Sequence, residues 1–132
     1  MQVLVVDDQA TNRAILTWLL EDDGHAVIEA ENGLEAVELY EKHEVDIVLM
    51  DVMMPVMDGE EATRRIRAME HDAPSDYKRA TIIALSANVG PEHTIACMDA
   101  GCDGSLGKPF YPSTLRKLLH SVFLGEYKGF AG

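Results

Sequence analysis

Basic charge is scarce in this 132-residue chain: 11 Lys and Arg stand against 23 Asp and Glu, a net charge of -12. A surface of that sign excludes the phosphate backbone of nucleic acid as a direct partner and suits Mg2+ or a basic partner surface better. Cysteine is nearly absent. Cys97 and Cys102 stand five residues apart, which is neither CxxC nor part of a Cys/His cluster, so zinc is excluded and both read as small hydrophobes. The five histidines, at 25, 43, 71, 93 and 120, show no metal-ligand spacing and read as surface or helix-end residues. None lies in a motif, so no acyl-transfer triad is supported. No apolar run approaches the roughly 18 residues of a membrane span, and no charged-then-apolar leader opens the chain. The domain is therefore expected to be cytoplasmic, or on the cytoplasmic side of a membrane-bound parent, without membrane contact of its own. Internal repeats and low-complexity segments are missing as well.

What is present is an ordinary globular composition, 47% apolar and 26% charged, in a chain of single-domain length. Its organising stretch is Ile47-Val48-Leu49-Met50-Asp51-Val52-Met53-Met54-Pro55. A short apolar run that meets a carboxylate and then a proline reads as a strand buried on both faces, as in parallel sheets. The pattern recurs. Val3–Val6 runs into Asp7-Asp8, Ile82–Leu85 into Ser86, and a short strand near 104–107 into Lys108-Pro109.

Between these strands the periodicity switches to helical. A helix is expected from Asp8 to Gly24, with Asn12, Ile15, Leu16, Leu19 and Leu20 on its buried arc. Ala26–Ala30 reads as a strand, and 33–42 as a helix with Ala36, Val37 and Tyr40 inward. Asp58 is a plausible N-cap for the next helix, whose later face of Arg64, Arg65 and Arg67 is expected to be solvated. The polar stretch 70–79, with Pro74, Ser75 and Asp76, is the longest loop. Thr81–Leu85 follows as a strand, then a helix from Pro91 to just before Gly101, and a last helix capped by Ser113 and running to about Leu124. Residues 1–124 form the domain; 125–132 are expected to be a flexible tail or linker with little to bury. Five strands alternating with five helices predict an α/β fold, a flavodoxin-like, doubly wound parallel sheet of order 2-1-3-4-5. That order makes strands one and three neighbours at the switch point, where such sheets bind ligands.

The chemistry of the site follows from its charges. Two uncompensated carboxylates about 4 Å apart repel by roughly 4 kcal/mol at an effective dielectric near 20, so Asp7, Asp8 and Asp51 need a proton or a cation. A hard, oxygen-lined site suits Mg2+. Lys108 adds a fixed positive charge and Ser86 a hydroxyl donor. A metal, an ammonium and a hydroxyl grouped about one carboxylate would stabilise a phosphoryl arriving there, with Asp51 as nucleophile.

The motifs Val5-Val6-Asp7-Asp8, Met50-Asp51-Val52-Met53-Met54-Pro55-Val56-Met57-Asp58-Gly59, Ile83-Ala84-Leu85-Ser86-Ala87-Asn88 and Gly107-Lys108-Pro109-Phe110, in this order and spacing, resemble the receiver domain of two-component response regulators. The likeness runs from Val3 to Leu124. Their wording is most similar to receivers attached to hybrid sensor histidine kinases, one possible parent for this domain. The resemblance implies that Asp51 accepts phosphate from the phosphohistidine of a histidine kinase or histidine phosphotransfer domain. It implies Mg2+ held by Asp8, Asp51 and the Met53 carbonyl, with Asp7 acting mainly through a metal-bound water. It implies that Ser86 turns toward the phosphoryl, that Lys108 ion-pairs with it, and that Lys108-Pro109 is cis. Met53 and Asn88 occupy the positions that tune phosphoryl lifetime. Ser105 stands where the family usually carries an aromatic switch residue. As an isolated chain the domain would be no enzyme beyond its own phosphorylation and dephosphorylation.

Partner docking is expected on the flank of the first helix, at Thr11, Ala14 and Trp18, beside Pro109 and Phe110. Two rival readings turn on single residues. An aspartyl-phosphate phosphohydrolase needs a second carboxylate two residues after the nucleophile, where Met53 stands. A receiver-shaped module that signals without phosphate would have lost a carboxylate or the lysine, and none is lost. Gly101–Lys108 looks like a phosphate loop, but its first glycine is one residue early and Pro109 replaces the required Ser/Thr. Met50, Met53, Met54 and Met57 read as core and loop filler.

Overall fold

Apolar runs that alternate between two covered faces build the molecule, described here from a computed structural model for residues 1–54, 56–74, 77–87 and 90–131. In chain order the elements are β1 (Gln2–Val6), α1 (Ala10–Asp22), β2 (Ala26–Ala30), α2 (Gly33–Lys42), β3 (Ile47–Asp51), α3 (Gly59–Asp72), β4 (Thr81–Ser86), α4 (Pro91–Ala100), β5 (Gly104–Gly107) and α5 (Pro112–Phe123). A 3-10 turn, Gly129–Ala131, follows. All five strands are parallel, in the order β2-β1-β3-β4-β5. This is the expected flavodoxin-like arrangement.

The period-2 geometry of each strand divides the core. Val3, Val5, Ile47, Leu49, Ile83 and Leu85 meet Leu16 and Leu20 of α1 and Leu115 and Leu119 of α5. Leu4, Val6, Val48, Met50 and Ile82 meet Ala36 and Tyr40 of α2 and Ala62 and Ile66 of α3. A smaller cluster of Val52, Ala84 and Cys97 lies under α4. Every residue of β3 is buried, as its unbroken apolar run requires. Asp58 caps α3 by accepting the Glu61 amide proton at 2.9 Å.

Several expectations are corrected. Ile15 is 55% exposed, so the arc that α1 buries is centred on Leu16 and Leu20. Ser113 caps nothing; α5 starts at Pro112, with Tyr111 at the N-cap position and no side-chain cap bond. Arg67 does not share the solvated face of Arg64 and Arg65. It is drawn inward to Glu70 at 2.6 Å, Asp103 at 2.7 Å, and the carbonyls of Ala80 and Gly101 at 2.8 and 2.9 Å. Met53 is 80% exposed and fills no core, unlike Met50. The segment after α5 buries more than a loose tail would: Tyr127 and Phe130 pack against different core clusters. Of the expected features, Pro55, Ser75, Asp76, Asn88 and Gly132 lie outside the described residues. Among the described residues no helix is long and apolar enough to cross a membrane.

Candidate functional site

Strand register alone assembles the site. Val6 pairs with Met50, so the next residues of each chain segment, Asp7 and Asp51, stand side by side at the carboxyl edge. Asp51 pairs with Leu85, which puts Ser86 one step further along. Ser86 pairs with Gly107, and Lys108 follows. The Lys108 amide donates to the Ser86 carbonyl at 2.8 Å, tying those two ends together. Lys108-Pro109 is cis.

The loops hold these ends by backbone bonds. The Asp7 amide donates to the Ala30 carbonyl at 3.1 Å, and the Asp7 carboxylate accepts the Gln9 amide proton at 2.9 Å. Arg13, which the sequence reading passed over, donates to the Asp7 carbonyl at 2.7 Å and pairs with Glu29 at 3.3 Å. Its only sequence signal was an arginine one helical turn into α1. After β3, the Gly59 amide donates to the Val52 carbonyl at 3.0 Å. A Cβ on Gly59 would strike the Asp51 carbonyl and the Val52 backbone, so glycine there lets α3 begin against the strand end.

Within this frame Asp7 is 1% exposed and Asp51 7%, while Asp8 is exposed. Oxygens of all three lie within 4.8 Å of one another. Lys108 Nζ sits 3.4 Å from Asp7 Oδ2 and 3.4 Å from Asp51 Oδ1. Burial pushes the Asp51 carboxyl above its ordinary range; Lys108 opposes that, Asp7 adds to it, and a bond from the Met53 amide opposes it. Ser86 is buried beside them. One ammonium among three carboxylates leaves the site electron-rich, and an all-oxygen donor set of this kind fits a hard divalent cation such as Mg2+. Among the described residues this is the only such cluster.

Ser105, on β5 opposite Ala84, is not part of this constellation. The expected docking residues divide. Thr11, Ala14 and Trp18 are exposed on α1, Trp18 at 66%. Beside them a groove of about 480 Å³ is lined by Ile15, Leu19, Lys108, Pro109 and Phe110, together with Asp7. Pro109 and Phe110 line this groove; on α1 its lining is Asn12, Ile15, Leu16 and Leu19, while Thr11, Ala14 and Trp18 are not among its lining residues. A larger depression of about 640 Å³, lined by Met1, His25, Arg116 and His120 among others, lies at the opposite, amino edge of the strands and takes no part in the site.

Comparison with known proteins places this arrangement among others. The response regulator receiver domain family matches residues 3–120. Chemotaxis protein CheY of Halobacterium salinarum is 38% identical over 122 residues, covering 92% of this chain and 95% of that protein. Hybrid signal transduction histidine kinase A of Dictyostelium discoideum is 38% identical over 119 residues, 89% of this chain but only 5% of the kinase. Among solved structures, Vibrio cholerae CheY4 superposes with a TM-score of 0.83 at 36% identity, over 92% of this chain and 97% of that one. The receiver domain of the Pseudomonas aeruginosa sensor histidine kinase PA1611, solved with magnesium in its active-site cleft, gives 0.80 at 34%, over 94% and 97%. A chain from the co-crystal of the Saccharomyces cerevisiae histidine phosphotransfer protein Ypd1 with the Ssk1 receiver domain gives 0.81 at 30%, over 89% and 84%.

Proposed function

The chain belongs to the response regulator receiver domain family, and from that premise we propose that it is the phosphoacceptor of a two-component phosphorelay, with Asp51 as the accepting residue. The observation that carries this is the pairing of the buried Asp51 carboxylate with Lys108 at 3.4 Å, inside an acidic cluster. An Asp51 oxygen attacks the phosphorus of a phosphohistidine, an O–P bond forms, the P–N bond breaks, and the imidazole leaves with the bonding pair. The product carries one more negative charge than the carboxylate. Lys108 is already within reach of that charge, and the Ser86 hydroxyl, one strand over, is the donor for a phosphoryl oxygen.

Asp7, Asp8, Asp51 and the Met53 carbonyl would hold Mg2+, which when bound neutralises phosphoryl oxygens as transfer proceeds. The Pseudomonas aeruginosa relative solved with magnesium supports that assignment. A histidine kinase or a histidine phosphotransfer domain is the donor, as the Ypd1 co-crystal encourages. Its helix would lie along the groove between α1 and the segment at Pro109 and Phe110, since the imidazole must come within about 3–3.5 Å of Asp51. Met53, exposed beside Asp51, and Asn88 would tune the lifetime of the product. A hybrid histidine kinase is one parent in which this domain would relay the phosphoryl onward.

Incubation with acetyl phosphate and Mg2+ is expected to add the mass of one phosphoryl group, mapping to Asp51 and absent from Asp51→Asn. Labelling of the variant at the wild-type rate would remove Asp51 from this role.

A further inference from the structure

The chain does not leave the domain after α5; it passes round the edge strand. Tyr127 packs on the α1–α5 side, against the cluster that contains Leu115 and Leu119. Phe130 packs on the other side of the sheet, against Val52, Ala84 and Cys97. Between them the Phe130 amide donates to the Asp103 carbonyl at 2.9 Å, just before β5. The fit is close. A Cβ on Gly104 would overlap the Tyr127 hydroxyl, and one on Gly129, which sits at φ +51, would meet the Asp103 carbonyl. Burial, with Asp103 nearby, raises the Tyr127 phenol above its ordinary range. Small residues at Gly104, Ser105 and Gly107 leave the edge strand bare, and a bare edge needs cover.

The seat of Phe130 adjoins the phosphoacceptor. Val52 follows Asp51, and its amide donates to the Leu85 carbonyl at 3.3 Å. Ala84 lies two residues before Ser86 and pairs with Ser105. Lys108 is tied through its amide to Ser86, so a shift of the Lys108 backbone would be shared by the ends of β4 and β5. Close-packed seats respond to such shifts by letting go rather than by stretching.

We propose that the β5 edge is a docking surface whose occupant is the chain's own segment 126–131, and that seating of Phe130 and phosphorylation of Asp51 weaken each other. The coupling rests on the phosphoacceptor reading above. The seat described here fits the unmodified site, so displacement of Val52 and Ala84 by a phosphoryl loosens it. By linkage, emptying the seat favours the phosphorylated form by the same factor.

Hydrogen exchange of the full chain, read at residues 126–131 before and after acetyl phosphate with Mg2+, tests this. In protein whose mass confirms labelling, the Phe130 amide is expected to exchange at least about fivefold faster, with no change in Asp51→Asn. At fixed acetyl phosphate, Phe130→Ala is expected to raise the steady-state ratio of labelled to unlabelled protein, and Phe130→Leu to return most of it. Labelling with unchanged exchange would overturn the coupling and leave the phosphoacceptor role standing. Failure to label at all would overturn both. Protection that grows with protein concentration would put a second copy's tail in the seat and overturn the intramolecular assignment.

Discussion

Replacing Asp51 by Asn should make the metal-free protein more stable, and the charges and burial around Asp51 give the sign of the effect. At an effective dielectric of about 20, Lys108 at 3.4 Å attracts the Asp51 carboxylate by about 5 kcal/mol. Asp7, its oxygen within 4.8 Å, repels it by at least about 3.5 kcal/mol on the same scale. Asp8 is exposed and, screened as in water, adds about 1 kcal/mol of repulsion. These charges nearly cancel, so burial decides the outcome, in keeping with its place as the largest cause of the raised pKa. Asn keeps the shape and the hydrogen-bonding capacity without the charge, and a gain of about 1–2 kcal/mol is expected, or roughly 3–8 °C in melting temperature.

The pH dependence has a definite sign. With its pKa raised above the ordinary 3.8, folded Asp51 keeps a proton that the unfolded chain has already lost. Stability from this group therefore falls as pH rises from about 4 through the raised value and is level above it. The advantage of Asp51→Asn should vanish below about pH 4 and be complete at neutrality. Mg2+ at about ten times its dissociation constant should stabilise the wild type by about 1.4 kcal/mol and both Asp51→Asn and Asp8→Asn much less. Thermal unfolding followed by circular dichroism, in EDTA and in Mg2+ across pH 3.5–7.5, would measure all of this. A variant no more stable than wild type at pH 7 in EDTA, or a difference that does not change with pH, would refute the reasoning.

Two further outcomes are expected. Ala14→Arg and Ile15→Arg, beside and within the groove, should each slow transfer from a histidine phosphotransfer protein at least about tenfold, the equivalent of about 1.4 kcal/mol, while acetyl phosphate labelling stays at the wild-type rate; equal loss of both reactions would point to a damaged fold. Arg67→Ala should lower stability by about 2–3 kcal/mol, less than a fully stripped buried pair because Glu70 and Asp103 keep other partners. Urea melts should show it against Arg64→Ala, whose exposed pairs are worth under about 0.5 kcal/mol, and equal midpoints would contradict the inward course of Arg67.

The sequence by itself determined the strands, the helices and the edge at which Asp7, Asp51, Ser86 and Lys108 meet. Those are local or periodic properties. An apolar run that ends in Asp51 must leave the core at that residue, and side-chain alternation sets which residues share a face. Once the order 2-1-3-4-5 follows from the crossover rule, Asp7, Asp51, Ser86 and Lys108 come together whatever the helices do.

Tertiary structure alone decided Ile15, Arg67 and the tail. Ile15 sits at a helical spacing that reads as buried, but α1 covers the sheet with Leu16 and Leu20 and turns Ile15 to a groove whose other wall, Pro109 and Phe110, arrives over 90 residues later. Arg67 looks like a surface arginine in a basic run; its partners at Gly101 and Asp103 lie 34 and 36 residues on. Tyr127 and Phe130 stand in a glycine-flanked, unpatterned segment, and only a bare β5 edge gives them a place to pack. Burial of a single side chain depends on what comes to lie over it. Where that partner is distant in the chain, no periodicity in the sequence records the meeting.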